Sequence, residues 1–134
     1  MELDFMQKLN QKINSMDLFA HSVIGPLDED ESISIMAMPG GAESVYFDGI
    51  RDKQYQVQVN TKSRNQANCM NALTMIYQKL ENLNKMSSDN GSFDFQSIST
   101  ASLPNLVMFD EQGFFVYALN ISCKITIYGN ERVV

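Results

Sequence analysis

From Phe115 to Ile127 every second residue is apolar: Phe115, Tyr117, Leu119, Ile121, Cys123, Ile125 and Ile127. Strict alternation with a period of two marks a strand with one buried face. The chain must therefore build a sheet around this segment. Ordinary strands hold about 5–6 residues. At roughly 3.3 Å per residue this one would exceed about 40 Å if unbroken. Either it bends or bulges, or it runs past its own sheet into a neighbour. Its other face changes along its length. Phe114, Val116 and Ala118 are apolar, whereas Asn120, Ser122, Lys124 and Thr126 are polar. The first half is expected to be covered on both faces and the second half to be half-exposed.

The remaining pattern supplies partners for that strand. Met6, Leu9, Ile13 and Met16 recur at helical spacing, with Lys8, Gln11 and Lys12 between them, so a helix is expected over 3–15 with Asp4 as its N-cap. Phe19 to Ile24 reads as a short extended segment broken by Gly25-Pro26. A strand is expected from Ser32 to Met38, with Ile33, Ile35 and Ala37 on one face and Pro39-Gly40-Gly41 ending it. Val45-Tyr46-Phe47 reads as a brief strand before an Asp48-Gly49 turn. Tyr55, Val57 and Val59 then alternate with Gln54, Gln56, Gln58 and Asn60 in a strand over 54–61. Its polar face is expected to be wet or to touch another subunit.

The clearest helix lies over 64–83. Ser63 and Gln66 match a capping box, and Ala67, Met70, Leu73, Tyr77 and Leu80 form a stripe with Ile76 and Leu83 beside it. Asn82 and Asn84 are its stops. A polar, mobile loop follows from Asn84 to Ser92. Phe93, Phe95 and Ile98 indicate a strand of imperfect register. Leu103-Pro104 begins a new piece, and Leu106 to Phe109 forms a short strand before the hairpin turn Asp110-Glu111-Gln112-Gly113. The expected fold class is α+β: a single mixed, mostly antiparallel sheet with two amphipathic helices packed against it, in one domain over residues 1–134.

Composition narrows the function. With 134 residues, 44% of them hydrophobic, the chain suits one sizeable core. The net charge of -6 argues against tight phosphate binding, which needs clustered cations. Arg51, Lys53, Lys62 and Arg64 come nearest to a basic patch, and no aromatic stacking pattern joins them. No apolar run approaches the roughly 20 residues that span a bilayer, and Met1-Glu2-Leu3-Asp4-Phe5 lacks a basic leader, so cytosolic synthesis and no membrane partner are expected. Asn90-Gly91-Ser92 and Asn120-Ile121-Ser122 match a glycosylation pattern that has no meaning without secretion. Nine methionines and no Trp point to an adaptable core or contact surface.

Catalytic and metal chemistry is missing from the pattern. Cys69 and Cys123 fall on apolar faces and read as buried thiols, not as a disulfide or metal pair. Asp28-Glu29-Asp30-Glu31 lacks the Gly and distal Glu of a calcium loop and reads as a solvated acidic loop. His21 is the single histidine, and neighbouring Ser22 points to the opposite face of an extended segment. Gly40-Gly41 is not followed by the Lys and helix of a phosphate loop. Asp48 and Asp52 could act as paired acids, but Asp48-Gly49 reads first as turn chemistry. No catalytic residue, cofactor or metal is expected.

The ordered pieces resemble a family. An amphipathic helix holds Asp4-Phe5-Met6 and Leu9, and a strand holds Ser32-Ile33-Ser34-Ile35. Pro39-Gly40-Gly41 and Tyr46-Phe47-Asp48-Gly49 follow, then a strand ending near Lys62. A helix with Ala67, Leu73, Ile76 and Leu80 precedes Gly113-Phe114-Phe115-Val116-Tyr117. Each piece is common alone; together, in this order, they are similar to the tail terminator or minor capsid proteins of long-tailed, non-contractile phages.

The resemblance implies an assembly protein without enzymatic activity. It implies a homohexameric ring that caps the major tail tube protein, ends tail elongation and presents a surface to the head-completion or connector protein. The location it implies is the head–tail junction of the virion, with DNA passing through the ring without specific binding. The contact candidates are Pro39, Gly40, Gly41, Tyr46, Asp48 and Gly49 in one segment and Asp89, Asn90 and Gly91 in another. The glycines let the first segment project, and a partner would order the second. Two other readings stay open: another neck or connector component, and a small cytosolic adaptor that binds a protein or small ligand.

Overall fold

A computed structural model describes residues 2–128. Helix α1 spans Phe5–Asn14 and is followed by strands β1 (Ser22–Ile24), β2 (Ser32–Met38), β3 (Glu43–Val45) and β4 (Arg51–Ser63). Helix α2 spans Gln66–Glu81, and β5 (Phe93–Phe109) and β6 (Phe115–Ile127) complete the sheet. The sheet has six strands in the order β1-β2-β4-β6-β5, with β3 pairing with β4. Among the described residues only the β1–β2 pair is parallel. The architecture is the expected α+β mixed sheet with two helices.

β6 is one continuous strand of 13 residues. It stays unbroken because it lies between two long neighbours. Every residue from Arg51 to Ser63 on β4 is paired to it, from Ile127 back to Phe115. The irregularity falls on β5 instead. Its register against β6 shifts between Phe95 and Ser97, Thr100 and Ser102, Ser102 and Asn105, and Leu106 and Met108. The two strands expected around Leu103-Pro104 are thus a single strand of 17 residues. Proline lacks an N–H and is tolerated there because β5 is an edge strand.

The helices cover one face. Phe5, Leu9 and Ile13 of α1 and Cys69, Leu73, Ile76 and Leu80 of α2 are fully buried. They pack on Ile33, Ile35, Val57, Val59 and the alternating apolar side chains of β6. Phe5 meets Tyr55 and Phe93 edge-to-face, with ring centroids 5.2 and 5.3 Å away. The buried stripe of α2 is rotated from the expected one: Cys69 and Ala72 are buried while Ala67 is exposed. Its N-cap is Asn65, whose side chain accepts from the Ala67 N–H at 3.0 Å. Ser63 does not cap the helix; its hydroxyl accepts from the Asn65 N–H and donates to Glu31. Asn82 is the C-cap, as expected.

The opposite face is a polar ladder. Gln54, Gln56, Gln58 and Asn60 stand beside Lys124, Ser122, Asn120 and Ala118. Gln56 donates to Ser122 and Asn120 to Ser102. At the far end of this face Phe114 is buried, with the Lys62 ammonium 4.8 Å and the Arg64 guanidinium 4.4 Å from its ring centre. On β6 itself Ala118 is buried and Val116 half-buried on this face, whereas Lys124 further along is exposed.

Candidate functional site

β2 ends at Met38, where Pro39-Gly40-Gly41 begins, as expected, but the chain does not leave the sheet edge there. Met38 pairs with Gln56, and five residues later Glu43 pairs with Lys53. Residues 39–42 thus lie opposite only 54 and 55, and β2 and β3 are two parts of one edge strand interrupted by a large bulge. Gly40 and Gly41 both have positive φ, at 98° and 88°. The bulge is held by the Gln54 N–H donating to Ala42 O at 2.8 Å and by Lys53 Nζ donating to Gly40 O at 3.3 Å. It bends the edge without detaching it.

The true reversal comes after β3. Tyr46 N–H donates to Ile50 O and Gly49 N–H to Tyr46 O, while Asp48 Oδ1 accepts from Ile50 N–H. Tyr46 and Phe47, expected in a strand, form the tip of this turn. The tip is braced across the sheet. Tyr46 donates to Asp52 Oδ2 at 2.9 Å, Thr126 donates to Asp52 Oδ1 at 2.7 Å, and Gln96 donates to Thr126 at 2.7 Å. The hydrogen bonds from Thr126 and Tyr46 hold the Asp52 carboxyl below its ordinary pKa, and the bond to Asp52 pushes the Tyr46 phenol up. Phe47 has no such support and is fully exposed at 111%. A rigid turn therefore carries a bare aromatic ring.

The second candidate segment is tied to the start of the chain by hydrogen bonds. Asp4 sits at the N-cap of α1, but its carboxylate does not bond that helix. It accepts instead from the Ser88 hydroxyl (2.7 Å), the Asp89 N–H (2.8 Å) and the Ser92 hydroxyl (3.0 Å). Asn90 donates to Glu2 O, and Asp89 forms a 3.1 Å ion pair with Lys8. Desolvation pushes the Asp4 pKa up, but the three hydrogen bonds outweigh it and hold the carboxyl below its ordinary value. Asp89, Asn90 and Gly91 remain on the surface.

Topology brings the two candidate segments to the same end of the sheet. Arg51 pairs with Ile127 and Ile127 with Phe93, so the 46–49 turn and the 88–92 loop border opposite sides of that end. Pro39 to Gly41 lie further along the edge. Sequence reasoning missed a third surface. Leu103, Leu106, Val107, Met108 and Phe109 on β5 are each at least half exposed. An available signal was the run from Ala101 to Phe109, which has no charged residue and only Ser102 and Asn105 as polar ones.

The grooves offer little for chemistry. One of about 520 Å³ is lined by Asp28, Glu29, Asp30, Lys62, Arg64, Gln112 and Phe114. Another of about 270 Å³ lies between Ser44, Lys53, Gln54 and Lys124. Among the described residues no three His, Cys, Asp or Glu side chains cluster as metal ligands. His21 is exposed, and the neighbouring Ser22 is held through its backbone by the Asn14 side chain. Cys69 and Cys123 are buried free thiols, and burial pushes Cys123 up to about 12.

A family model for the bacteriophage tail terminator protein matches residues 11–127. The chain belongs to the bacteriophage tail terminator family. It is thereby a structural protein of phage tails and a virion component. No curated protein sequence matches this family member. Among solved structures, one chain from the virion of a native gene transfer agent particle shares its fold with a TM-score of 0.57 at 9% identity. That alignment covers 90% of this chain and 93% of the other.

Proposed function

We propose that this tail terminator family member caps the tail tube, ends tail elongation and forms the surface that the head connector joins. Membership of the family over 11–127 carries this reading. The geometry supports it through the braced turn at 46–49, which holds Phe47 outside the fold, and the pinned loop at 88–92 at the same end of the sheet. Aromatic anchors on a rigid support are typical of protein contact sites. The partners are further copies of the chain in a homohexameric ring, the major tail tube protein and the head-completion protein, at the head–tail junction. The chain's net charge of -6 fits a ring that lets DNA pass without holding it.

Deletion of the gene tests the proposal. Overlong or uncapped tails that fail to join heads are expected in electron micrographs. Tails of normal length on complete particles would overturn it.

A further inference from the structure

The strand registers tie the two outer edges of the sheet to each other. Val23 on β1 shares a row with Asn105 on β5, by way of Ser34, Asn60 and Ala118. Val45 on β3 shares a row with Phe93 on β5, by way of Arg51 and Ile127. Arg51 and Asn60 are nine residues apart on β4, so the two rows are about 30 Å apart. A ring whose axis runs along the strands keeps each row level from copy to copy. What stands on one edge must then fit what stands on the other edge at the same height.

At the Arg51 row the two edges are a knob and a groove. Phe47 stands at the tip of the turn after β3, fully exposed on a support braced by Tyr46 and Asp52. On the β5 side of that end, a groove of about 450 Å³ lies between the 84–92 loop and the start of β5. Met86, Phe93 and Phe95 line it, together with Lys85 and Asp94. Pockets that bury small molecules hold about 300–1,000 Å³, so an aromatic ring has room. The groove is on the outer flank of β5, because Ser87 bridges Asp94, whose other neighbour is Thr126 on β6. Charge agrees with the fit. Asp48 is the one charged residue of the 46–49 turn. In and beside the groove, Asp94 accepts from Tyr128 and Asp89 pairs with Lys8, whereas Lys85 has no ion pair among the described residues.

At the Asn60 row both edges are apolar. Val23 and Ile24 are 47% and 46% exposed, and Leu103 and Leu106 are 63% and 51% exposed. Ile24 lies level with Ile35, Val59 and Leu119, and so with the Leu103-Pro104 step of β5. No charged residue occurs from Leu18 to Leu27 or from Phe95 to Phe109. Copies of net charge -6 repel each other, so they meet at least cost on such surfaces. Side chains make this contact, not an added strand. The Asn14 side chain already holds the backbone N–H and C=O of Ser22, and Pro104 has no N–H to give.

We infer that Phe47 of one copy seats in the groove between the 84–92 loop and β5 of a second copy, with Asp48 beside Lys85, while β1 of the first packs on Leu103 and Leu106 of the second. Both edges carry their features on the same two rows, so one placement satisfies both contacts. Each surface is unlike its partner, which makes the contact heterologous, the kind that closes rings. The inference rests on the ring-forming reading above and names the surfaces that join the copies.

Disulfide cross-linking of the full chain tests it, because Cys69 and Cys123 are buried and Phe47, Ser87, Ile24 and Leu103 are exposed. Two mixtures, Phe47→Cys with Ser87→Cys and Ile24→Cys with Leu103→Cys, are oxidised at the highest soluble concentration. Each is expected to give a covalent heterodimer. A chain carrying both Phe47→Cys and Ser87→Cys is expected to give a ladder of multimers. Mixtures that pair opposite ends, Phe47→Cys with Leu103→Cys and Ile24→Cys with Ser87→Cys, are expected to give none. Unchanged thermal unfolding of each variant confirms that the fold is intact. No covalent species in either matched mixture, equal yield in the mismatched ones, or homodimers as the main product would each overturn the inference. None of these outcomes bears on tail length in the gene deletion, so the capping proposal stands or falls separately.

Discussion

Gly41 faces the backbone of Gln54 so closely that a Cβ at Gly41 would overlap the Gln54 carbonyl oxygen. Its neighbour Gly40 has a similar positive φ, but a Cβ there would meet nothing within 4 Å. The two glycines of the bulge are therefore not equivalent. Gly40→Ala should cost about 1–2 kcal/mol from backbone strain alone. Gly41→Ala adds a clash with main chain that cannot rotate away, and about 2–4 kcal/mol is expected. Urea denaturation of both variants measures the difference. Equal losses would show that the bulge relaxes freely. Gly40 is accordingly the better position for testing assembly without disrupting the bulge.

Asp4 ties the start of α1 to the loop before β5. Its carboxyl is held below the ordinary carboxylate range, so the sign follows from linkage. The stabilisation is fully present above that ordinary range and is lost as pH falls through the lower folded value. Asp4→Asn should therefore lower stability near neutral pH and flatten the acid limb of the stability–pH curve below about pH 4. The amides of Asp89 and Ser92, which donate to Asp4 Oδ2 and to the Ser88 hydroxyl, should exchange faster in the variant. Unchanged exchange at both amides would show that the loop holds without the carboxylate.

Regular periodicity made most of this fold legible. The alternation of β6 fixes one face of the sheet, and Leu9 and Ile13 place α1 on it. Local chemistry carried less. Ser63 and Gln66 satisfy a capping pattern, yet Glu31 approaches from β2's side and accepts from both the Ser63 hydroxyl and the Arg64 N–H. The cap then passes to Asn65. Gly40 and Gly41 suit positive φ in either a turn or a bulge, and the bond between Gln54 and Ala42 decides for the bulge. Pinning of the 84–92 loop depends on Asp4, more than eighty residues away in sequence. The apolar edge of β5 is visible as a run of residues, but edge position is a property of the whole sheet.

Cys69 and Cys123 are buried on the helix-covered side of the sheet. Burial pushes both thiols up, Cys123 to about 12. The thiolate is the reactive form, so both should resist a thiol reagent at neutral pH while the chain is folded. Labelling should rise to two groups per chain in denaturant. Modification of either cysteine before unfolding would reveal local opening of α2 from the sheet.

Phe5 joins α1 to the two strands that flank β6 through edge-to-face contacts with Tyr55 on β4 and Phe93 on β5. It is fully buried. Phe5→Ala leaves a cavity at this junction, and about 3–5 kcal/mol of stability should be lost. Thermal unfolding is the measurement, and a loss below about 1 kcal/mol would mean that α1 adds little to the core.

Phe47 is the counterpart of Phe5 in every respect that matters for stability. Its ring is fully exposed, while the turn beneath it is held by Tyr46, Asp52 and Thr126. Phe47→Ser removes no buried contact, so the unfolding midpoint should move by no more than the roughly 0.5 kcal/mol typical of surface changes. If the ring is an assembly anchor, its loss should cost about 2 kcal/mol or more of binding, about thirtyfold in affinity. Complementation of a gene deletion with the Phe47→Ser chain should then leave tails overlong or unjoined despite normal amounts of folded protein. Tyr46→Phe supplies the contrast, since it keeps an aromatic ring but removes the hydroxyl that donates to Asp52. Full rescue by Phe47→Ser would remove the turn from the contact surface, whereas failure of Phe47→Ser with rescue by Tyr46→Phe would assign the contact to the exposed ring.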